Sequence, residues 1–317
     1  MVELYLNQRA MRTDAPNRVL LDFDATDDPA HGEQEGVAYH GYFGQHQYHP
    51  LLVFDGDTGQ FVTAVLRAGN AHASAGALSV LKRLVSKLRQ RWPETKIEIR
   101  ADAGFAVPSI YEYCEAEGIH YTIGLVTNPR LEEATERLGY LAKLTSILKT
   151  RCEEHPKVRF LSETLYEAGS WGKKRRVIYK AEVLEKGPNI RFVVTNRSEE
   201  PLALYDAHYL QRGETENRIK DYKRALRADR LSCCAFLANQ FRLLLDAAAY
   251  WLLDVLRERV VKAGYKRLQL DTLRLRLVKI GGRVRQLVDK VRLHLASGHP
   301  GRRLWQALSW TTMDVHE

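Results

Sequence analysis

Two short apolar runs that each end on an aspartate constrain this chain more than any other feature. Residues 19–24 read VLLDFD and residues 96–102 read KIEIRAD. Runs of this length are buried strands, and strand ends are where α/β proteins place their chemistry. The neighbouring segments fit the same architecture. HPLLVFD (49–55) and FVTAVLRAG (61–69) form a hairpin through Gly56-Asp57-Thr58-Gly59. A helix over 74–91 gathers Leu78, Leu81, Leu84, Val85 and Leu88 on one face and stops at Trp92-Pro93. Pro108 opens a second helix that Gly118 closes, and HYTIGLV (120–126) is another strand. The order β-β-β-α-β-α-β predicts a mixed sheet covered by helices.

Beyond residue 150 the pattern changes. VRFLSETLYEA (158–168), KRRVIYKAEVL (174–184) and IRFVVTN (190–196) are β-rich, and helical periodicity prevails from about Ala207. The expected organisation has four parts. They are a first core part over 1–149, a β-rich insertion over 150–206, a last core part over 207–256 and a basic helical region over 257–317.

The charge balance narrows the class of partner. The net charge is +9 over 317 residues. Residues 257–317 hold 14 Lys/Arg and 5 Asp/Glu, so the entire excess sits there. Such asymmetry points to a polyanion, most simply nucleic acid, although apolar residues interleaved with the charges mean that some arginines serve packing. No window has the run of roughly 20 apolar residues a membrane helix needs. MVELYLNQRA at the start is no signal peptide, so a cytoplasmic location is expected. Cys114, Cys152, Cys233 and Cys234 form no CxxC pair and read as buried free thiols. His40, His46 and His49 cluster before a strand and favour a loop role over zinc.

Alternation puts Asp22 and Asp24 on one strand face and Phe23 on the other. Asp24 and Asp102, each followed by small residues, are the ligand candidates, while Asp27 and Asp28 read as outer or surface residues in a loop. Paired carboxylates suit general acid/base work or a hard cation. The basic C-terminal third favours the cation with a phosphate substrate. A third carboxylate is available in the helical string Tyr209-x2-Arg212-x3-Glu216-x6-Lys223, whose spacing lines all four side chains along one face. Taken alone, Arg212 and Glu216 also fit an ordinary surface ion pair. Trp171, between Gly169 and Gly172, reads as a packing or turn residue, with stacking on an unpaired base as the alternative.

Taken together, these motifs resemble the DDE transposases of bacterial insertion sequences, and most closely the insertion sequence 1380 group. The resemblance rests on Asp24-Ala25-Thr26, residues 32–36 (GEQEG), 48–52 (YHPLL), 100–105 (RADAGF), the Y-x2-R-x3-E-x6-K string and 238–245 (ANQFRLLL), in that order. It covers nearly the whole chain. It implies a ribonuclease-H-like core with Asp24, Asp102 and Glu216 as the catalytic triad holding two Mg²⁺, with Mn²⁺ able to substitute. Tyr209, Arg212 and Lys223 would contact transposon-end DNA, and the protein would act as a homodimer on paired inverted repeats and target DNA at the bacterial nucleoid. Arg274, Arg276, Lys279, Arg283 and Arg285, with Lys290 and Arg292, would track the DNA backbone.

Members of that group carry a sizeable segment before the first aspartate, and here Asp24 has only 23 residues before it. The expectation is an N-terminally truncated copy. Two competing readings follow: a catalytically impaired fragment that regulates a full-length transposase, and a generic metal-dependent nuclease. The intact triad speaks against the first and the Tyr–Arg–Glu–Lys string against the second.

Overall fold

The structure, a computed structural model, describes residues 1–12, 15–149, 158–184 and 187–311. In chain order, α1 (Val2–Arg12) precedes β1 (Arg18–Ala25), the strand of the first aspartate. Just past the end of β1, the strands β2 (Asp28–Pro29), β3 (Ala38–His40) and β4 (Gln45–Tyr48) make a small sheet of their own. The predicted hairpin follows as β5 (Leu51–Asp55) and β6 (Phe61–Val65), then α2 (Ala77–Arg91), β7 (Lys96–Ala101), α3 (Pro108–Ala116), β8 (His120–Leu125) and α4 (Pro129–Lys149).

In space these strands lie in the order β6-β5-β1-β7-β8. β1, β7 and β8 are parallel, and β5 runs antiparallel to both its neighbours. This is the ribonuclease-H-like mixed sheet. Both faces are covered, so successive residues of one strand are buried on opposite sides. Val53 packs with Leu81, Leu84 and Tyr111 in one apolar cluster. Leu52 and Phe54 pack with Tyr222, Leu243 and Tyr250 in the other. Helix α1, which the sequence reading did not foresee, joins the first cluster through Tyr5 and Leu6, and Tyr5 donates a 2.8 Å hydrogen bond to Asp55.

The β-rich segment supplies β9 (Val158–Tyr166), β10 (Arg175–Leu184) and β11 (Gly187–Thr195). β11 hydrogen-bonds antiparallel to β8, so the insertion extends the core's own sheet to eight strands. The neighbouring pairs Val177-Ile178 and Val193-Val194 are fully buried. Such consecutive burial needs a cover on each face. Helix α4 packs on β9 and β10, and Leu204 and Tyr205 cover Ile178 and Val193. The first residues expected in the insertion, 150–157 with Cys152, lie outside the described residues.

The chain returns through α5 (Pro201–Ala203), a π-helical turn (Leu204–Tyr209), a 3-10 turn (Leu210–Arg212) and α6 (Gly213–Leu226). Then come α7 (Phe236–Lys262) and α8 (Leu270–Leu273), the latter running into a second π-helical turn (Arg274–Val278). The helical expectation for 257–317 is corrected over 282–295, which form a hairpin of β12 (Gly282–Gln286) and β13 (Val291–Leu295) before α9 (Arg302–Thr311). GRVRQ and VRLHL alternate with period two, and Gly281-Gly282 breaks any helix leading into them. Among the described residues no helix is long and apolar enough to cross a membrane.

Candidate active site

Register sets the first two carboxylates. In the parallel pair β1/β7, Asp22 lies opposite Arg100 and Phe23 opposite Ala101. Two residues beyond the first of these pairs, Asp24 and Asp102 therefore stand abreast at the same edge of the sheet. Asp24 is buried and accepts from the Ala25 amide at 2.8 Å. Asp102 caps a short turn by accepting from the Gly104 amide at 2.9 Å.

The expected alternation within Asp22-Phe23-Asp24 holds, and it separates two roles. Phe23 joins the apolar core against Phe105. Asp22 is fully buried and tied by Arg100 Nε and Nη2, each at 2.7 Å, and by the Thr215 hydroxyl at 2.7 Å. Arg100 also donates to the His208 carbonyl at 2.5 Å. This knot clamps β1, β7 and the irregular helix together on both sides of Arg212. The π-helical turn serves the clamp, because an i→i+5 turn interrupts the ordinary carbonyl ladder where Arg100 reaches the backbone.

The clamp lays the Tyr–Arg–Glu–Lys row across the strand ends. Tyr209 reaches over Gly124 of β8, where a Cβ would lie 2.6 Å from its hydroxyl. Only glycine permits that approach. Arg212 donates to Glu216 at 2.8 Å and lies 3.7 Å from Asp24. Lys223 donates to Asp27 at 2.6 Å. All four residues predicted on one face thus fall along one edge, beside Asp102, Asp24 and Asp27 in turn.

The electrostatics of this edge are unbalanced. Asp24 is pushed up to about 7, by burial first and by the charge of Asp102 second. Burial works against the charge of Arg212, but Tyr209, Asp24, Glu216 and Asp102 outweigh it and hold the guanidinium above its ordinary value. Burial also pushes the Tyr209 phenol up. Among the described residues no three His, Cys, Asp or Glu side chains are gathered closely enough to hold a metal ion as they stand. The donor chemistry nevertheless fits a hard cation: Asp24 and Glu216 share the Arg212 guanidinium, and Asp102 lies near enough to Asp24 for its charge to push that carboxyl up. Glu216 is about half exposed and paired with Arg212.

Other expectations are sorted differently. Asp28 is not a surface loop residue: it lies in β2 at 2% exposure, and burial pushes it up to about 7. Trp171 is buried in a cage of Tyr111, Tyr166 and the Arg175 guanidinium, which settles it as packing. Only Cys114 of the described cysteines is buried; Cys233 is half-buried and Cys234 exposed. His46 faces Tyr39, while His40 meets His49 edge-on, so the three imidazoles are not gathered. Arg274 donates to the Ala225 carbonyl at the end of α6 and is structural. Arg276, Lys279, Arg283 and Arg285 are exposed. The reading missed the Asp22–Arg100–Thr215 clamp. Its signal was present: Asp22-x-Asp24 and Arg100-x-Asp102 share one spacing on parallel neighbours.

The chain belongs to the family described as transposase DDE domain group 1, whose profile matches residues 1–311. Solved structures similar to it include a piggyBac transposase synaptic complex with hairpin DNA, at 10% identity and a TM-score of 0.46. That match covers 82% of this chain and 51% of the other, so the chain spans about half the length of that relative. A simian T-cell lymphotropic virus intasome complex with PP2A regulatory subunit B56 gamma matches at 13% identity and a TM-score of 0.26, covering 59% of this chain and 80% of that one. The large terminase nuclease of thermophilic phage G20c with bound magnesium matches at 16% identity and a TM-score of 0.16, covering 48% and 71%. No curated protein matches the sequence.

Proposed function

We propose that the protein is a DNA transposase that cuts at the ends of a mobile element and joins the freed strand to target DNA, with Asp24, Asp102 and Glu216 as its catalytic triad. The observation that carries the reading is the convergence of Asp24 and Glu216 on Arg212, with Asp102 abreast of Asp24. The ordered motifs of the sequence favour the insertion sequence 1380 branch. Two Mg²⁺ ions, or Mn²⁺ in their place, supply activation of the attacking oxygen and neutralisation of the leaving one. Asp24 and Asp102 would hold the ions from the strand ends, with Glu216 of α6 as the third ligand. Arg212, released from the two carboxylates, is then free to meet a DNA phosphate, and Tyr209 lends its hydroxyl beside Asp102.

In the first reaction water attacks the phosphorus at the element's end, and the bond to the 3′ oxygen breaks to leave a 3′-OH. In the second that 3′-OH attacks a target phosphodiester and displaces a target 3′ oxygen. Inverted repeats, target duplex and a second copy of the chain are the partners. Lys223 and the exposed cations Arg276, Lys279, Arg283 and Arg285 contact the backbone. Nicking of a labelled duplex bearing the element's end, with Mg²⁺ or Mn²⁺, tests the reading. Metal-dependent nicking lost in Glu216→Gln is expected; nicking at the wild-type rate in that variant removes Glu216 from the triad.

A further inference from the structure

The β3–β4 hairpin ends in the tetrapeptide Gly41-Tyr42-Phe43-Gly44. The Gly44 amide closes the turn on the His40 carbonyl at 2.8 Å, and Gly44 has φ of 67°, a left-handed conformation that suits glycine. The two glycines display an aromatic pair at the tip, with Tyr42 88% and Phe43 37% exposed. An adjacent pair of exposed rings, one lying on the other, offers a contact surface to a partner. Phe43 stands on His40 and His49 at 5.0 and 5.9 Å between ring centroids, and Tyr42 meets Phe43 edge-on at 5.1 Å. No Asp or Glu occurs anywhere in residues 38–50.

The hairpin's position is set by the active-site edge. Gln45, the register partner of His40, donates to Asp27 at 3.3 Å, and the other oxygen of Asp27 accepts from Lys223. His40, Gln45 and His49 share a face by alternation, so the aromatic tip lies on the side that carries Asp27 and Lys223. Asp27 is three residues past Asp24, and Lys223 is two turns along α6 from Glu216. A carboxylate-free aromatic turn is thus joined through Gln45 and Asp27 to Lys223 and the carboxylate edge. Trp171, the aromatic considered from sequence for base stacking, is buried elsewhere.

We propose that Tyr42 and Phe43 form a nucleobase-stacking site that receives an unpaired base of the DNA strand end while Lys223 neutralises the adjoining phosphate. Aromatic faces accept any base, so the site recognises the single-stranded character of the end rather than its sequence. The inference rests on the transposase reading and adds a binding site to it. The test uses the full chain and two otherwise identical duplexes, one blunt and one with a three-nucleotide single-stranded end carrying 2-aminopurine, in buffer without divalent metal. The wild-type protein is expected to bind the open-ended duplex roughly tenfold more tightly and to quench the 2-aminopurine. Tyr42→Ala with Phe43→Ala should bind both duplexes equally, without quenching and with unchanged thermal stability. Tyr42→Phe and Phe43→Trp should each keep the preference. An alanine double variant that retains both preference and quenching overturns the site, as does a wild-type protein that binds both duplexes equally. Failure of the wild type to bind either duplex would instead overturn the transposase reading, and the inference with it.

Discussion

Asp22 and Asp24 sit two residues apart on one strand and one face, both buried, and their surroundings differ in a single respect. Asp22 has a bidentate arginine and a threonine hydroxyl, three short bonds within 2.7 Å. Asp24 has one backbone amide and a guanidinium at 3.7 Å that it shares with Glu216. A buried carboxylate with its full set of partners is mechanical: it ties β1 to β7 and to the helix that brings Glu216. A buried carboxylate short of partners is chemical, because the charge it lacks can come from outside. The neighbouring arginines differ in the same way. Arg100 is almost wholly buried, while Arg212 keeps about a fifth of its side chain in solvent.

Substitutions should separate the two sites. Asp24→Asn is expected to reduce metal-dependent nicking to background while the protein stays folded and bound to DNA, as read by gel assay and circular dichroism. Asp22→Ala should do the reverse to stability: it leaves Arg100 buried without a counter-charge, at a cost of about 3–5 kcal/mol by urea denaturation. Equal loss of stability in both variants would end the distinction between them.

The pH dependence sharpens it. Asp24 titrates near 7 in the fold against 3.8 ordinarily, so the native state keeps a proton that the unfolded chain has released. Its contribution to stability is therefore full below about pH 4 and fades as pH rises to 7. Wild type should lose stability relative to Asp24→Asn across that window, and Mg²⁺ should restore it at pH 7 in wild type only. Asp28 is also raised to about 7, by burial. Asp28→Asn should show the same relative gain with nicking retained; thermal melts at pH 4, 5.5 and 7 check both. The smallest effect belongs to the exposed cations of the β12–β13 hairpin. Replacing Arg283 or Arg285 by Gln should lower the log–log salt slope of DNA binding by about 1 each, measured between 50 and 200 mM salt, with nicking chemistry unchanged.

Much of this edge was legible in the residues. Asp24, Asp102 and the Tyr–Arg–Glu–Lys row were placed by strand ends and helical spacing, and the row does lie along one edge. Helix α1 was missed because its packing against β6 and α2 is a long-range matter. The hairpin at 282–295 was missed because leucines and arginines there satisfy a helical and a strand pattern alike, and only the glycine pair tips the balance. Trp171, between glycines, gave no local sign of the aromatic and guanidinium cage that buries it.

Local sequence by itself determined the strands, their terminal aspartates and the spacing that sets Arg212 beside Glu216, because alternation and helical pitch are properties of the backbone. Tertiary structure decided what no local pattern encodes. It chose which of two like aspartates received a buried arginine, joined the β-rich segment to the core's own sheet, and tied the β3–β4 hairpin to Lys223 through Gln45 and Asp27. Each of these depends on pairing residues tens to nearly two hundred positions apart, where register and burial, rather than residue type, assign the partner.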